Sequence, residues 1–154
     1  MTVSEFDTFR SNTTRGYANE QVRAGNWPAK GAEARAEAAN STLLPQGLDT
    51  PGTLLLMAEN SEGTTIGHIW IVLEREADSG SGGWIYYIQI DPIHQGKGYG
   101  RALLRAAEEE SARRGVTRLG LNVFGSNEIA RSLYESSGYQ VASTLMRKDL
   151  PPLN

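Results

Sequence analysis

Hydrophobic positions along the first fifty residues recur at helical spacing. In residues 4–24, aromatic and small side chains return every three or four positions, and Ser4 is placed to cap the start of a helix. Residues 29–44 are rich in alanine and glutamate, which both favour helix. The sequence therefore predicts two helices here. The side chains that define the face of the first helix are Phe6, Phe9, Thr13 and Tyr17.

The pattern changes at residue 53, after which apolar and β-branched residues predominate. Residues 53–60 and 65–74, with a turn between them, predict an antiparallel hairpin, and a loop is expected over 76–83. The remaining pattern predicts a strand at 84–92, a helix at 100–115, a strand at 116–124, a helix at 127–138 and a final strand at 139–150. This order is typical of an α/β (α+β mixed) sandwich with helices on a mixed sheet.

Length and composition narrow the class of protein. A chain of 154 residues can bury one core, so we expect a single domain over 1–150 and a frayed tail at 151–154. The net charge of −3 provides no broad field for nucleic acid or a membrane surface. There is no cysteine, and His68 and His94 lie far apart, so we expect no metal site. No apolar run approaches the length of a membrane span, and a soluble cytoplasmic protein is the simplest expectation.

Three glycines alternate directly ahead of the third predicted helix. Gly96, Gly98 and Gly100 lie between a strand and a helix, where backbone N–H groups and the helix dipole form an anion site. Lys97 and Arg101 add positive charge to this loop. The alternative is a tight turn that needs glycine only for its backbone shape. The spacing matches neither the dinucleotide G-x-G-x-x-G pattern nor the G-x-x-x-x-G-K-S/T phosphate loop.

Two motifs resemble those of one enzyme family. Residues 95–100, Gln-Gly-Lys-Gly-Tyr-Gly, fit Q/R-x-x-G-x-G/A, and residues 127–139 fit N-x-x-A-x-x-L-Y-x-x-x-G-Y/F. In this order and spacing, the chain resembles the GNAT superfamily of N-acetyltransferases over about residues 84–140. The resemblance implies a GNAT-like central mixed, mostly antiparallel sheet with a splayed central strand pair and helices on both faces.

The resemblance also implies acetyl-CoA as cosubstrate. Its pyrophosphate would lie on the N–H groups of the glycine loop, and its pantetheine arm would pair like an extra strand with residues 88–90. The acetyl group would pass to a primary amine of a small molecule or peptide by direct attack in a ternary complex. The cofactor-binding residues implied in this way are Ile88, Gln89, Ile90, Gln95, Gly96, Lys97, Gly98, Tyr99, Gly100, Arg101, Asn127 and Tyr134.

By its match to the second motif, Tyr134 is implied as the catalytic acid. Acetyl transfer releases a thiolate of reference pKa about 8.5, and a phenol of reference pKa about 10 is suited to protonate it. Without the motif, an ordinary tyrosine on a half-buried helix beside Leu133 would be the simpler interpretation. Asn127 is implied as a cofactor contact, and its alternative role is a helix N-cap.

A general base for the acceptor amine is not evident. Family members often carry a carboxylate on the central or the next strand, and the matching positions here hold Trp84, Tyr87, Gln89 and Asn122. None of these side chains is a base at neutral pH, which leaves three alternatives. Water held by the polar side chains carries the proton away, or His68, His94 or Glu20 is the base, or the acceptor has a pKa low enough to need none.

The acceptor is expected against the first two helices and the hairpin, so residues 10–50 and the loop at 76–83 would set specificity. The predicted substrate-side residues are Tyr87, Asn122 and Glu20. Tyr17, Glu20, Trp27 and Glu37 suit a cationic or aromatic amine, and the alternative is a solvated helix pair with structural aromatics.

A second class of protein stays open as an alternative, because none of the matching strand positions carries a carboxylate. A non-catalytic acyl-CoA-binding sensor or partner module would keep the glycine loop, although it would have no need of Tyr134. Only residues 1–3 precede the helical pattern, so the strand with which the family usually begins is short or missing. No stripe of surface residues identifies an interface, and a homodimer is an open alternative.

Overall fold

The computed structural model describes residues 1–73 and 82–154. Two helices are followed by three strands, a helix, a short strand and a last helix. The elements are α1 (Val3–Arg23), α2 (Ala32–Leu43), β1 (Thr53–Glu59), β2 (Thr65–Leu73), β3 (Gly82–Ile90), α3 (Tyr99–Arg113), β4 (Arg118–Leu121) and α4 (Glu128–Ser136).

The four strands form one sheet in the order β1-β2-β3-β4. β1, β2 and β3 pair antiparallel, whereas β3 and β4 pair parallel. Parallel strands need a crossover connection, and α3 provides it. The predicted fold class and the hairpin are therefore confirmed.

Helices cover both faces of the sheet because successive residues of a strand point to opposite sides. Trp70 of β2 packs with Leu55 against Phe6 and Phe9 of α1. On the opposite face, α3 covers a second cluster, whose buried members are Leu54, Ile69, Ile71, Ile85, Leu104 and Ala107. α2 packs on α1, where Ala32 and Ala36 contact Ala18, and only its last residue, Leu43, packs against the Trp70 cluster.

The first helix begins earlier than predicted, and Ser4 is not its cap. Thr2 accepts a hydrogen bond from the Glu5 N–H at 3.2 Å, and its own N–H donates to Glu5 Oε2 at 2.6 Å. This reciprocal capping box satisfies two donors that a helix start leaves open. α1 is the longest helix at 21 residues, yet no helix in the described ranges is long and apolar enough to cross a membrane.

The sheet begins after the first two helices. Within the described residues no strand precedes α1, and β1 is the first strand in the chain. The loop predicted at 76–83 lies mostly outside the described residues. Its last two residues, Gly82 and Gly83, are the first of β3.

The end of the chain requires a correction. The strand predicted at 116–124 is reduced to the four residues of β4, and the strand predicted at 139–150 is wrong. Residues 140–154, here called the C-terminal arm, form neither helix nor strand, and all are exposed. A strand needs a neighbour to bond with, and this arm pairs with no strand of its own sheet.

Candidate active site

The sheet opens between β3 and β4. Their pairing runs from Gly82 opposite Arg118 to Ile85 opposite Leu121 and then stops, whereas β3 continues to Ile90. The predicted splay of the central strand pair is therefore present. Beyond Ile85, one edge of β3 borders a gap that no strand of the described residues fills.

The register on β2 decides which main-chain groups of β3 face this gap. The Asp91 N–H donates to the Ile66 carbonyl at 2.8 Å, so Asp91 turns its main chain toward β2. Because these directions alternate in an antiparallel pair, Gln89 also faces β2, while Ile88 and Ile90 face the gap. The Ile90 carbonyl accepts a hydrogen bond from the Gln95 side chain at 2.9 Å.

The glycine loop follows directly on β3 and ends at the start of α3. Gly96 and Gly98 adopt φ of +73° and +84°, which side-chain-bearing residues rarely adopt, and a Cβ at either position would meet no atom within 4 Å. Gly98 is the N-cap of α3. The loop therefore leaves open space where the first N–H groups of α3 have no acceptor within the helix. This combination suits an anion.

The third glycine of the loop has a different role. Gly100 lies inside α3, and a Cβ there would come within 3.4 Å of Leu133 Cδ2 on α4. Gly100 thus allows α3 and α4 to approach closely. Positive φ and open surroundings therefore belong to Gly96 and Gly98, whereas Gly100 serves a close helix contact that the sequence did not predict.

The charged side chains of the loop are held by neighbours. Lys97 Nζ donates to the Ile93 carbonyl at 3.3 Å. Arg101 donates to Ser136 Oγ at 2.8 Å and to Ser137 Oγ at 3.2 Å, at the end of α4. Both serine hydroxyls donate in turn to the Leu133 carbonyl. Arg101 therefore links the start of α3 to the last turn of α4.

Tyr134 is half-buried on the face of α4 that packs against the core. Its side chain packs in the same apolar cluster as the side chains of Ile88 and Leu121. The main chain of Ile88 faces the gap, and Leu121 is the last residue of β4. Burial raises the pKa of the Tyr134 hydroxyl above its ordinary value of 10.0, so it is protonated at neutral pH. Asn127 caps α4 by accepting from the Ala130 N–H at 3.2 Å, which supports its role as an N-cap.

A polar cluster lies on the α1 side of β3. Tyr87 donates to Gln89 Oε1 at 3.2 Å, and its pKa is raised by burial and by the negative charge of Glu20. Glu20 is half-buried: Oε1 accepts from Arg23 at 2.9 Å, while the buried Oε2 has no hydrogen-bond partner. Gly16 allows this approach, since a Cβ there would lie 2.6 Å from the Tyr87 hydroxyl oxygen.

The two histidines lie in different surroundings. His68 is buried with its ring stacked on Tyr87 at 5.5 Å, and burial lowers its pKa, so it is neutral at pH 7. Its Nε2 has no hydrogen-bond partner. His94 packs edge-on to Tyr99 beside the glycine loop.

The other site residues predicted from the sequence lie in two places, beside β4 or at the contact between α1 and α2. Asn122 is exposed and directly follows β4, at the mouth of the gap. The Trp84 ring packs over Gly120 of β4. Tyr17 packs edge-on to Trp27 at 5.4 Å, and Glu37 pairs with Arg10, which lowers the pKa of its carboxyl. Of the predicted residues, Tyr17, Trp27 and Glu37 therefore contribute to the packing of α1 against α2.

The sequence predicts both Glu20 and Tyr87 as substrate-side residues, but it does not predict that these two residues, 67 positions apart, lie close enough for the charge of one to affect the other. The available signal was Gly16, a glycine in the middle of a predicted helix. Glycine at such a position costs about 1 kcal/mol relative to alanine, and it often marks a close contact.

Comparison with protein-family models identifies the class of protein to which this fold and this site belong. The model of the Acetyltransferase (GNAT) family matches residues 18–139, which is more than half of the chain. The chain belongs to this family and is an acyltransferase.

One bacterial relative matches this chain over nearly its whole length, both in sequence and in structure. The chain is 34% identical over 150 residues to an uncharacterized N-acetyltransferase of Bacillus subtilis (strain 168), YycN, covering 97% of this chain and 96% of that protein. The crystal structure of YycN superposes with a TM-score of 0.94 and covers 99% of this chain and 96% of that one.

Two further relatives match shorter parts of the chain. The mycothiol acetyltransferase of Propionibacterium freudenreichii subsp. shermanii is 37% identical over 117 residues, which are 76% of this chain and 36% of that protein. The ribosomal protein bS18-alanine N-acetyltransferase of Escherichia coli (strain K12) is 43% identical over 67 residues, 44% of this chain and 45% of that protein.

Proposed function

We propose that this acetyltransferase moves an acetyl group from acetyl-CoA to a primary amine of a small molecule or peptide, by direct attack in a ternary complex. The observation that carries the proposal is the gap beside β3, with the glycine loop at its end and Tyr134 in the same apolar cluster as Ile88 of β3. A binding groove, an anion site and a phenolic acid are the parts that such a transfer needs.

The residues present fit the cosubstrate. Open space above Gly96 and Gly98 suits a pyrophosphate held by N–H groups at the start of α3. The main-chain groups of Ile88 and Ile90 face the gap and suit the amides of a pantetheine arm, whereas Gln89 turns its main chain to β2. When bound, acetyl-CoA supplies an acetyl thioester.

Tyr134 is proposed to donate a proton to the leaving sulfur. Its raised pKa keeps the hydroxyl protonated across the physiological range. Proton donation by a positioned side chain typically contributes 10²- to 10⁴-fold to a rate. Asn127 orients α4 through its cap and so supports the position of Tyr134.

Glu20, Tyr87 and Gln89 are proposed to receive the amine. A lysine-like amine must lose a proton at a cost of about 4.6 kcal/mol at pH 7 before it can attack, and an α-amine at a cost of about 1.4 kcal/mol. The unpartnered Oε2 of Glu20 suits an ammonium group, which it would bind and then relieve of a proton directly or through water. Asn122 at the mouth of the gap suits a second contact to the acceptor.

The relatives leave two acceptor classes for this proposal. The E. coli relative is named for an alanine of a ribosomal protein, and the Propionibacterium relative is named for mycothiol. A peptide α-amine is the easier acceptor for a site without a carboxylate on its strands, because its deprotonation costs less.

The first experiment is titration of the protein with acetyl-CoA by calorimetry, with acetyl-CoA lacking the 3′-phosphate as comparison. We expect a Kd of micromolar order, about −8 kcal/mol. Absence of binding at high protein concentration would contradict the proposed cofactor site.

Thiol release with peptide and small-molecule amines then tests turnover and its pH dependence. We expect kcat/KM to rise between pH 6 and 9 as the acceptor loses its proton, with no fall below about pH 10, because the raised pKa keeps Tyr134 protonated there. Tight binding without any turnover would favour the non-catalytic acyl-CoA-binding module.

A further inference from the structure

A cleft lies between the first half of α1 and the end of the sheet at which β3 stops. Its volume is about 290 Å³, and its walls come from α1, β1, β2 and Asp91, the residue after β3. Binding sites for small molecules typically measure about 300–1,000 Å³, so this cleft suits a ligand at the small end of that range.

The floor of the cleft is apolar apart from one imidazole. Met57 of β1 lies opposite His68 of β2, so the two side chains point to the same face of the sheet. Phe9 of α1 packs edge-on to the His68 ring at 5.1 Å and completes the floor. A thioether, a phenyl ring and an imidazole ring can cover the hydrocarbon part of a ligand.

The charge around the cleft is negative. Asp91 is half-buried, and among the described residues no salt bridge uses its carboxylate. Glu5 also lines the cleft, and the hydrogen bond from the Thr2 N–H lowers the pKa of its carboxyl, so it is ionised at neutral pH. No lysine or arginine of the described residues lines the cleft. The cleft therefore favours a cation over an anion.

A buried polar group in the cleft lacks a partner. His68 is 5% exposed, and its Nε2 forms no hydrogen bond with any described residue. Burial lowers the pKa of His68, and the charge of Asp91 acts in the opposite direction, which shows that the two side chains interact across the cleft wall. A neutral imidazole has one nitrogen that accepts a hydrogen bond, and an N–H group of a ligand is a suitable donor for it.

An organic cation suits these groups better than a metal ion. Within the part of the chain that the structure describes, no three His, Asp or Glu side chains are placed to hold a metal. A primary ammonium group has three N–H donors, and the α1 side of the cleft offers oxygens for them. Ser4, Thr8 and Asn12 are exposed and recur every four residues, so they share the face of α1 that borders the cleft.

The cleft adjoins the proposed acceptor side without including it. Asn12, which lines the cleft, precedes Glu20 by eight residues, or about 12 Å of helix. The His68 ring separates the two places, since it lines the cleft and stacks on Tyr87 at 5.5 Å. A ligand in the cleft would therefore act on Tyr87 only through His68.

We propose that this cleft binds a small organic cation, a primary ammonium group on a short hydrocarbon, at a site separate from those proposed for acetyl-CoA and the acceptor amine. The ammonium group lies between the Asp91 carboxylate and the His68 ring, and the hydrocarbon covers Phe9 and Met57. This site does not depend on the proposed function, because neither acetyl-CoA nor acetyl transfer takes part in it.

Titration with butylamine tests the site by NMR, at constant pH and ionic strength. The chain has two histidines, so His94→Gln assigns both imidazole signals, and His94 is the internal control. We expect the His68 signal to shift with a Kd of about 1 mM and the His94 signal to stay in place. Butan-1-ol and butyrate have the same hydrocarbon without the positive charge and should bind at least about 10-fold more weakly. An unmoved His68 signal, or equal affinity for butan-1-ol, would overturn the proposal.

Three variants then locate the bound butylamine. Asp91→Asn keeps the shape of the side chain and removes its charge, so affinity should fall at least about 10-fold. Asp7→Asn is the matched control, because Asp7 is exposed on α1 outside the cleft and the net charge changes equally. Glu20→Gln should also leave the affinity unchanged. If Glu20→Gln weakens binding and Asp91→Asn does not, butylamine occupies the proposed acceptor site, which supports the proposed function and overturns the separate site in the cleft.

Discussion

The two sides of the gap beside β3 are built in different ways. The proposed cofactor side comes mainly from one continuous stretch, residues 88–101, and would act through backbone groups and two glycines at positive φ. The proposed acceptor side comes from α1, β3 and the residue after β4, and would act through the side chains of Glu20, Tyr87 and Asn122.

This difference matches what each side has to recognise. Backbone N–H groups at a helix start suit a phosphate whatever the neighbouring side chains are, so the cofactor side can be common to a family. Side chains from separate elements can change one at a time, so the acceptor side can differ between relatives. If the comparison is right, substitutions on the two sides should separate cofactor affinity from acceptor recognition.

The largest effect is expected at Gly98. Gly98→Val places a branched side chain at φ +84° and fills the open space above the loop. We expect acetyl-CoA affinity to fall by at least about 10²-fold, because hydrogen bonds to charged groups are each worth about 1.5–3 kcal/mol. Calorimetry measures this loss.

Gly63→Val is the matched control for this change. Gly63 has φ +78° and equally open surroundings, but it lies in the turn between β1 and β2. It should lose a similar amount of stability and keep its affinity for acetyl-CoA. Equal affinity losses in both variants would mean that backbone strain alone explains the effect.

The next largest effect is expected in kcat, for the variant Tyr134→Phe. The substitution removes the proposed proton donor and keeps the ring in the core, so kcat should fall about 10²-fold while acetyl-CoA affinity is retained. Tyr139→Phe is the control, since its ring lies 5.9 Å from that of Tyr134 and also packs in the core. Unchanged turnover of Tyr134→Phe with a good acceptor would remove this residue from the mechanism.

The smallest effect is expected at Glu20. Glu20→Gln keeps the shape and removes the charge that faces the polar cluster, so KM for the amine should rise about 10-fold with acetyl-CoA affinity unchanged. A fall in kcat as well would indicate that Glu20 takes the proton. Glu33→Gln on the exposed face of α2 is the control. No change in either constant would exclude Glu20 from the acceptor side.

The sequence predicts the local structure of the proposed cofactor side well, because the residues that determine it are close together in the chain. The alternation of glycines before an amphipathic run is local, and so is the Asn127 cap that starts α4. Even the error at the start of α1 was a local one. Thr2 and Glu5 have the spacing of a capping box, which is a stronger signal than Ser4 alone.

The acceptor side and the arm are less predictable because they depend on what meets in space. Glu20 and Tyr87 come together only when α1 crosses β3 at Gly16. The arm has the composition of a strand, but a strand forms only where an edge is available to bond with it. Local pattern cannot say which edge, or which molecule, provides it.

The Arg101 bridge has an electrostatic consequence. α3 begins, with about half a positive charge, next to the end of α4, with about half a negative charge. Arg101 lies between these two helix poles and compensates the negative one through Ser136 and Ser137. In a chain of net charge −3, the start of α3 with Lys97 and Arg101 thereby provides local positive charge, whose reach in 0.1 M salt is about 10 Å. If the proposed anionic cosubstrate binds there, we expect this local charge to attract its phosphates only within about that distance of the loop.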